Sequence, residues 1–415
     1  MHTEVGQIPL SAETKKRAVA WLRSGFALAL LAFGASLVPW KDHLVCIRGR
    51  QTIEVRGTIR GSWREDAIRF LPDPGQSVDP VWPPEVARGL AAAAEFQVVR
   101  TPESSGTAPE NVDVARLDWK PGMLRVFREV DPAGLVGALF LILAGSMIAI
   151  TRWWRLLAVA GCATRWTSAF RLSFLGFFFN VVLPAGITGG DVIKAVLVVR
   201  EHPERRADAF VSVVVDRALG LLVLMGLAAG VVLVSGVRFA ELKLPVVGAF
   251  LAALVVLWVM IHPGPRRWLR ISALLERMPQ KERLKSIDRA LRIYSERPLE
   301  LGIAVALSAG NHLCIGGSVF VLGHAFGDHL SFLEYLGIAA IANTISSVPI
   351  TPSGWGVGEW AFGSLFHILG SPSTLGVAVS VAYRLLTMLL GLAGGLFLLL
   401  PGGRGVRREI DENKE

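Results

Sequence analysis

Long apolar segments separated by short charged ones make up most of this chain of 415 residues. A membrane-spanning helix needs about 20 predominantly apolar residues, because the hydrocarbon core of a bilayer is about 30 Å thick. Six segments have suitable length and composition: residues 18–40, 133–151, 207–235, 244–262, 299–323 and 373–400. The pattern therefore predicts an all-α polytopic membrane protein that contains one region of different character.

That region, residues 41–132, has no apolar run long enough to cross a membrane. Apolar and polar residues alternate at 52–56 and in Met123–Arg128, which predicts short strands between Pro- and Gly-rich turns. We interpret it as a small, mostly β extracytoplasmic insertion domain that serves a protein partner or a particular substrate. Its core is predicted to contain Trp63, Phe70, Phe96, Trp119 and Phe127.

Two apolar segments are interrupted by helix-breaking residues at matching positions. The shared positions are Pro184 and Pro352, Gly186 and Gly354, Gly190 and Gly358, and Asp191 and Glu359, all 168 residues apart. Downstream, Arg217 and Arg384 lie 167 residues apart, each inside an apolar stretch. Unpaired backbone in hydrocarbon costs several kcal/mol per group, so such breaks are tolerated where they line a polar cavity. The pattern predicts an internal repeat with two re-entrant broken helices.

Charged loops set the predicted topology, because cytoplasmic loops carry an excess of Lys and Arg. Residues 263–298, for example, hold ten Lys and Arg against four acids. The predicted division is 1–40, cytoplasmic N-terminus and first span; 41–132, extracytoplasmic insertion; 133–262, first membrane repeat and linking span; 263–298, basic cytoplasmic loop; 299–400, second membrane repeat; and 401–415, cytoplasmic tail. The two broken elements then enter from opposite faces, which is the pattern of inverted-topology repeats.

Composition narrows the class further. The chain is 52% hydrophobic and only 19% charged, with a mean hydropathy of +0.49. Its net charge of +9 is explained by topology-setting loops and also suits anionic lipid head groups. The three cysteines lie far apart, which argues against a disulfide framework or zinc site. No nucleotide-binding motif is visible, so we expect no cofactor, and we expect no nucleic acid partner.

Asp191 and Lys194 lie three residues apart, on one face of a helix predicted to begin near Gly190. An acid in that first turn is explained by the helix dipole alone. The same helix start, with a lysine beside it, also suits the phosphate of a lipid head group. Glu359 carries the same two interpretations in the other half.

Asp216, Arg217 and Arg384 lie about ten residues inside predicted spans. A charge at that depth costs at least about 2.5–3.5 kcal/mol, so it should face a partner or a cavity. One interpretation is structural pairing, for example Asp216 with Arg384 or Arg217 with Glu359. The other is that they line a polar pathway, where the planar fork of Arg binds phosphate oxygens.

Three further polar residues leave alternatives open. Asn180 either satisfies loosened backbone or contacts substrate. His312 and His367 stand in apolar stretches, where packed and hydrogen-bonded histidines are more common than ligands.

At these positions the sequence resembles the transmembrane flippase domain of lysylphosphatidylglycerol synthases, over roughly residues 133–400. The resemblance implies movement of a polar-headed lipid between leaflets, with Asp191, Asp216, Arg217, Glu359 and Arg384 along the path. The sequence contains no counterpart of that family's aminoacyl-transferase domain, so lysine transfer to lipid is not expected. The features that carry the resemblance are Phe179-Asn180, Leu183-Pro184, Gly186, Gly190-Asp191, Asp216-Arg217, Pro352, Gly354 and Gly356-Val-Gly358-Glu359.

The first functional hypothesis is a lipid flippase or scramblase for a polar-headed lipid that is anionic or linked to prenyl phosphate. The second is a membrane-embedded transferase with a lipid-linked donor, in which Glu359 is the general base; the third is a non-transporting assembly factor. The expected location is the bacterial plasma (inner) membrane, with both termini cytoplasmic and homo-oligomers left open. The predicted substrate-binding residues are Asn180, Gly186, Gly190, Asp191, Lys194, Asp216, Arg217, Gly354, Gly358, Glu359 and Arg384.

Overall fold

A computed structural model describes residues 40–48, 51–76, 79–101, 116–182, 187–261, 289–290, 292–294, 296–348 and 355–398. Nearly all of the predicted first span, most of the 263–298 loop and the 401–415 tail lie outside these ranges. The described chain forms a mostly helical bundle with a small antiparallel sheet near its N-terminal end.

The sheet confirms a β-rich region before the helical bundle. Its strands are β1 (Asp42–Arg48), β2 (Gln51–Arg60), β3 (Ala67–Pro72), β4 (Phe96–Val99) and β5 (Arg116–Lys120), in the order β4-β3-β2-β1-β5. All neighbours pair antiparallel, and helix α1 (Pro84–Ala92) precedes β4. Of the predicted core, Trp63, Phe70 and Trp119 are buried, while Phe96 and Phe127 pack against the same cluster.

The strand predicted at Met123–Arg128 is wrong, because these residues form helix α2. Its buried residues, Met123 and Val126, are three apart, which is the spacing of a helix face rather than of a strand. Asp42 fixes the start of this helix, accepting from the Gly122 N–H at 2.7 Å and from Arg125 Nε at 2.9 Å.

Nine α-helices of at least 12 residues follow in the described part of the chain, and they divide into long and short ones. In chain order they are α3 (Pro132–Val159), α4 (Trp166–Val182), α5 (Ile187–Glu201), α6 (Arg206–Val234), α7 (Lys243–Ile261), α8 (Pro298–Ala325), α9 (Phe332–Ser346), α10 (Val357–Ile368) and α11 (Ser373–Ala393). Five helical segments of the described chain are long and apolar enough to cross a membrane, and they correspond to α3, α6, α7, α8 and α11. They confirm five of the six predicted spans, and the chain is a multi-pass membrane protein.

The two long helices α3 and α8 pack against each other in opposite directions along small residues. A Cβ on Gly134 would lie 2.4 Å from that of Ala325, whereas one on Gly145 would lie 3.1 Å from Cys314. Small residues let helix backbones approach closely in a membrane, where dispersion and hydrogen bonds rather than the hydrophobic effect drive association.

The short helices connect the two halves. Helix α4 packs on α11 and the turn after it, with Gly391 and Gly394 against Phe177 and Phe174. Helix α9 packs on α6, with Gly337 against Val231. The first short helix of each half thus packs against the long helix that follows the broken element of the other half.

The sheet docks at one end of this bundle. Phe127 of α2 makes an edge contact with Phe326 at 5.4 Å between ring centroids, just past the end of α8. The Asp131 N–H donates to the Ala325 carbonyl at 3.1 Å, where α3 begins. The hydrophobic core is continuous between sheet and helices.

Candidate functional site

A cavity of about 340 Å³ lies inside the helical bundle, between residues of α3, α4, α5, α6, α8, α9 and α11. Five charged side chains line it: Arg152, Asp191, Lys194, Asp216 and Arg217. Three cations face two acids, so the described lining carries one net positive charge. Charges inside a membrane protein are expensive unless they face partners or a polar space, and this cavity is such a space.

Arg217 and Asp191 form a loose pair at the cavity wall. Arg217 Nη1 lies 3.3 Å from Asp191 Oδ2, and the two side chains remain 46% and 31% exposed. The angle is too poor for a hydrogen bond, so the buried Oδ2 accepts none among the described residues. Helix α5 begins at Ile187, so Asp191 lies beyond the first turn and the predicted helix-dipole explanation does not apply to it.

Arg152 is the site residue that the sequence analysis missed. It directly follows the predicted span 133–151, but α3 continues to Val159 and Arg152 is buried. Its Nε donates to Asp216 Oδ1 at 2.8 Å, and its Nη1 donates to Ser308 Oγ at 2.7 Å. The apolar run 156–160 that follows is the signal that could have placed Arg152 inside the membrane.

Lys194 completes the positive side of the cavity. Its side chain is buried, and its Nζ lies 3.6 Å from the centroid of the Trp153 ring. A desolvated ammonium over a Trp face is stabilised by a cation–π interaction of about 2 kcal/mol. The ring thus holds the ammonium beside the cavity without neutralising its charge.

The second half contains a matching but tighter pair. Arg384 Nε lies 2.6 Å from Glu359 Oε1, and the two side chains are 15% and 12% exposed. The ion pairs suggested from sequence, Asp216 with Arg384 and Arg217 with Glu359, are therefore wrong. Each arginine pairs with the acid of its own half, because the broken helix and the long helix that follows it are neighbours.

The Glu359 carboxylate makes several structural contacts besides the one with Arg384. It also accepts from the Gly356 N–H at 2.6 Å and from Ser380 Oγ at 3.3 Å. It lies in the first turn of α10, where the predicted dipole explanation does apply. A Cβ on Gly358 would lie 2.0 Å from Arg384 Nη2, so only glycine lets the guanidinium pass. The described cavity lining includes Tyr383 and Ser346 but neither Glu359 nor Arg384.

Asn180 and Gly190 hold the first broken element together. Asn180 Oδ1 accepts from the Gly190 N–H at 2.7 Å, which is the backbone-satisfying alternative. A Cβ on Gly190 would lie 1.9 Å from the Gly176 carbonyl oxygen, so glycine permits the contact between α4 and α5. The two other predicted glycines, Gly186 and Gly354, lie outside the described residues, as do Pro184 and Pro352.

Uncharged polar residues also line the cavity, and Ser173, His312 and Asn343 are among them. His312 is packed and hydrogen-bonded as expected, with Nε2 2.9 Å from the Gly220 carbonyl oxygen. His367, by contrast, is exposed. Ser173 and Asn343 carried no sequence signal, because isolated polar residues in apolar helices have no characteristic spacing.

Comparison with known proteins agrees with the membrane architecture. The family model described as lysylphosphatidylglycerol synthase TM region matches residues 113–395, more than half of the chain. A UPF0104 membrane protein from Methanocaldococcus jannaschii is 22% identical over 307 residues, which cover 70% of this chain and 90% of the relative. A UPF0104 membrane protein from Methanothermobacter thermautotrophicus is 22% identical over 295 residues, covering 66% and 85%.

Proposed function

Because the chain belongs to the lysylphosphatidylglycerol synthase TM region family, a lipid-translocating membrane domain, we propose that it moves a lipid with an anionic, phosphate-containing head group between leaflets. The candidate lipids are glycerophospholipids and prenyl-phosphate-linked lipids. The observation that carries this proposal is the cavity with three cations and two acids among membrane-spanning helices.

The head group is bound by the cations that have binding capacity left. Arg152 already donates to Asp216 and Ser308. It therefore contributes positive charge to the cavity wall, but only part of its guanidinium group remains available to bind a head group. Arg217 is only loosely held by Asp191 and can present two donors to phosphate oxygens. Lys194 adds a second charge from α5. As the lipid leaves, Arg217 exchanges the phosphate for the carboxylate of Asp191.

Inverted-topology repeats supply the two gates that this movement needs. The antiparallel packing of α3 on α8 supports such a repeat, because corresponding helices of inverted halves run in opposite directions. The reciprocal packing of α4 on α11 and of α9 on α6 supports it further. In this proposal the two halves rock against each other around the cavity, which opens to one leaflet at a time.

The transferase hypothesis finds less support. Glu359, its proposed general base, is engaged by three groups and lies behind the cavity wall. Other expectations remain predictions: a partner for residues 41–132, homo-oligomers, a bacterial inner membrane and cytoplasmic termini.

The test is leaflet exchange by the purified chain in liposomes that contain trace fluorescent phosphatidylglycerol or prenyl phosphate. We expect wild type to expose the inner-leaflet label to an external reductant, and Arg217→Ala to lower that rate at least tenfold. Arg171→Ala is the matched control, since Arg171 pairs with Glu201 at 2.9 Å with comparable exposure, away from the cavity. Equal rates in empty and protein-containing liposomes for every lipid would overturn the proposal.

A further inference from the structure

A second cavity, of about 320 Å³, lies at the end of the bundle opposite the sheet. Its walls come from the end of α3 and the start of α8, whereas the sheet docks where α3 begins and α8 ends. Its described lining shares no residue with that of the central cavity considered above. That lining consists of Trp154, Arg155, Ala158, Val159, Arg297 and Glu300.

The depth of this second cavity corresponds to the lipid head groups. Helix α3 has 28 residues, which at about 1.5 Å per residue gives a length of about 42 Å. A bilayer is about 40–45 Å thick including its head-group regions, so both ends of α3 lie at head-group level. Arg155 lies within about 6 Å of the end of α3. Its neighbour Trp154, which donates from Nε1 to the Thr164 carbonyl at 2.8 Å, is a residue type enriched at this interface.

Two arginines in the second cavity have hydrogen-bonding capacity left. Arg155 binds Glu300 through Nε at 3.2 Å and Nη2 at 2.9 Å, and its Nη1 has no partner among the described residues. The Arg297 side chain makes no helix-capping hydrogen bond and no ion pair with the described residues. Two cations thus face one acid, and the described lining carries one net positive charge. Arg297 also directly precedes the first turn of α8, where the helix dipole favours an anion.

We infer that the second cavity is a peripheral binding site for the phosphate of an anionic membrane lipid, separate from the central cavity. Arg297 and the Nη1 of Arg155 donate to the phosphate oxygens, because a guanidinium fork matches phosphate geometry. Ala158 and Val159 form an apolar wall for the first part of an acyl chain. Basic pockets between membrane helices bind anionic lipids in this way. A soluble phosphate ion would make the ionic contacts but not the apolar ones.

Native mass spectrometry of the full-length protein in detergent counts and ranks the bound lipids. The probes are phosphatidylglycerol and phosphatidylcholine with identical acyl chains. We expect Arg297→Ala to weaken phosphatidylglycerol binding at one site about tenfold, since one charge-assisted hydrogen bond is lost. Phosphatidylcholine, which has no net charge, should bind weakly to both proteins. Arg165→Ala is the matched control, because Arg165 is also exposed and follows α3 at the same end of the bundle but does not line the second cavity.

A substitution of the acid should act in the opposite direction. Glu300→Gln removes the carboxylate that competes for Arg155, so phosphatidylglycerol should bind about threefold more tightly. The Arg155 and Glu300 side chains are 36% and 31% exposed, so the thermal unfolding temperature should change little. Unchanged binding in Arg297→Ala, or weaker binding in Glu300→Gln, would overturn the inference. Displacement of the lipid by an equal concentration of inorganic phosphate would assign the site to a soluble ion and would also overturn it.

This inference does not depend on the proposed function. Leaflet exchange should be equal in Arg297→Ala and wild type, because Arg297 is outside the described lining of the central cavity. A tenfold slower exchange in Arg297→Ala would place the second cavity on the translocation path and overturn its peripheral role. Absence of leaflet exchange for every lipid, with the loss of binding in Arg297→Ala intact, would overturn transport but keep this site.

Discussion

The two halves of the bundle use the same acid–arginine pair in opposite ways. In the first half, Arg217 and Asp191 approach to 3.3 Å without a hydrogen bond, and both side chains are open to the cavity. In the second half, Arg384 and Glu359 approach to 2.6 Å and are largely buried. These residues occupy corresponding positions in the repeated sequence pattern.

Their difference shows how one arrangement yields a binding element and a structural one. A loosely held arginine near a polar space has interaction capacity left for a ligand. A buried arginine whose acid also caps a helix has little such capacity. If it turned to a ligand, its partner acid would be left charged and unpaired. The length of the acidic side chain contributes to this difference, because the longer Glu359 reaches both the Gly356 N–H and Arg384.

The largest expected effect is on folding, from Arg384→Ala. It leaves the Glu359 carboxylate buried without its charge partner, which should lower the free energy of unfolding by about 3–5 kcal/mol. Arg217→Ala, the matched variant in the first half, should cost less than about 1 kcal/mol because its pair is half open. Denaturant unfolding of both variants in one detergent checks this. Equal losses for the two variants would mean that the pairs are equivalent and the comparison is wrong.

The element types were largely predictable from the sequence, because hydrophobic length is a strong signal. Five predicted spans coincide with long apolar helices, and the alternating stretch 52–56 lies in strand β2. The failure at Met123–Arg128 has a local cause: six residues can be written as an alternating strand or as a helix face with period three to four. Asp42, which is distant in sequence, accepts hydrogen bonds at the start of the helix and thereby favours it, and the local pattern does not reveal this contact.

The cavity was predictable in part. Asp191, Lys194, Asp216 and Arg217 were found because charges in apolar segments are conspicuous, and the structure brings all four together. Their partners were not predictable, since pairing depends on which helices are neighbours. Arg152 was missed because a basic residue beside tryptophans also has the appearance of a membrane-interface anchor.

A smaller effect on stability should distinguish alanine substitutions at Gly190 and Gly358, the two corresponding glycines of the repeat. In Gly190→Ala the new Cβ meets the Gly176 carbonyl at 1.9 Å, and backbone cannot move away cheaply. In Gly358→Ala it meets the end of the Arg384 side chain at 2.0 Å, which can rotate aside at the cost of its bond to Glu359.

We expect Gly190→Ala to lower the unfolding free energy by about 2–3 kcal/mol, near the upper end for overpacking, and Gly358→Ala by about 1–2 kcal/mol. Gly230→Ala is the control, because a Cβ there meets nothing within 4 Å. Thermal unfolding ranks the three variants. If Gly358→Ala lowered the unfolding free energy more than Gly190→Ala did, the Arg384 side chain could not rotate aside. The Arg384–Glu359 pair would then be more rigid than we expect.

The smallest effect on stability comes from replacing each of the two acids with the other type, which tests directly whether their lengths distinguish the two pairs. Glu359→Asp shortens the side chain by one methylene, so the carboxylate can no longer reach both the Gly356 N–H and Arg384 Nε. Loss of one such contact should cost about 1 kcal/mol of unfolding free energy. Asp191→Glu should leave stability within about 0.5 kcal/mol, because that acid is open to the cavity and caps nothing in the described residues.

Leaflet exchange should respond in the reverse order. Asp191→Glu lets the carboxylate follow Arg217 into a full hydrogen bond, so the arginine is less available to phosphate and exchange slows by about fivefold to tenfold, the value of one such bond. Glu359→Asp should leave the rate per folded molecule unchanged, because Glu359 is outside the described cavity lining. A slower rate in Glu359→Asp with Asp191→Glu unaffected would reverse the roles of the two pairs. The short acid of the first half would then be incidental, whereas the expected result makes its length the reason that Arg217 remains available for a ligand.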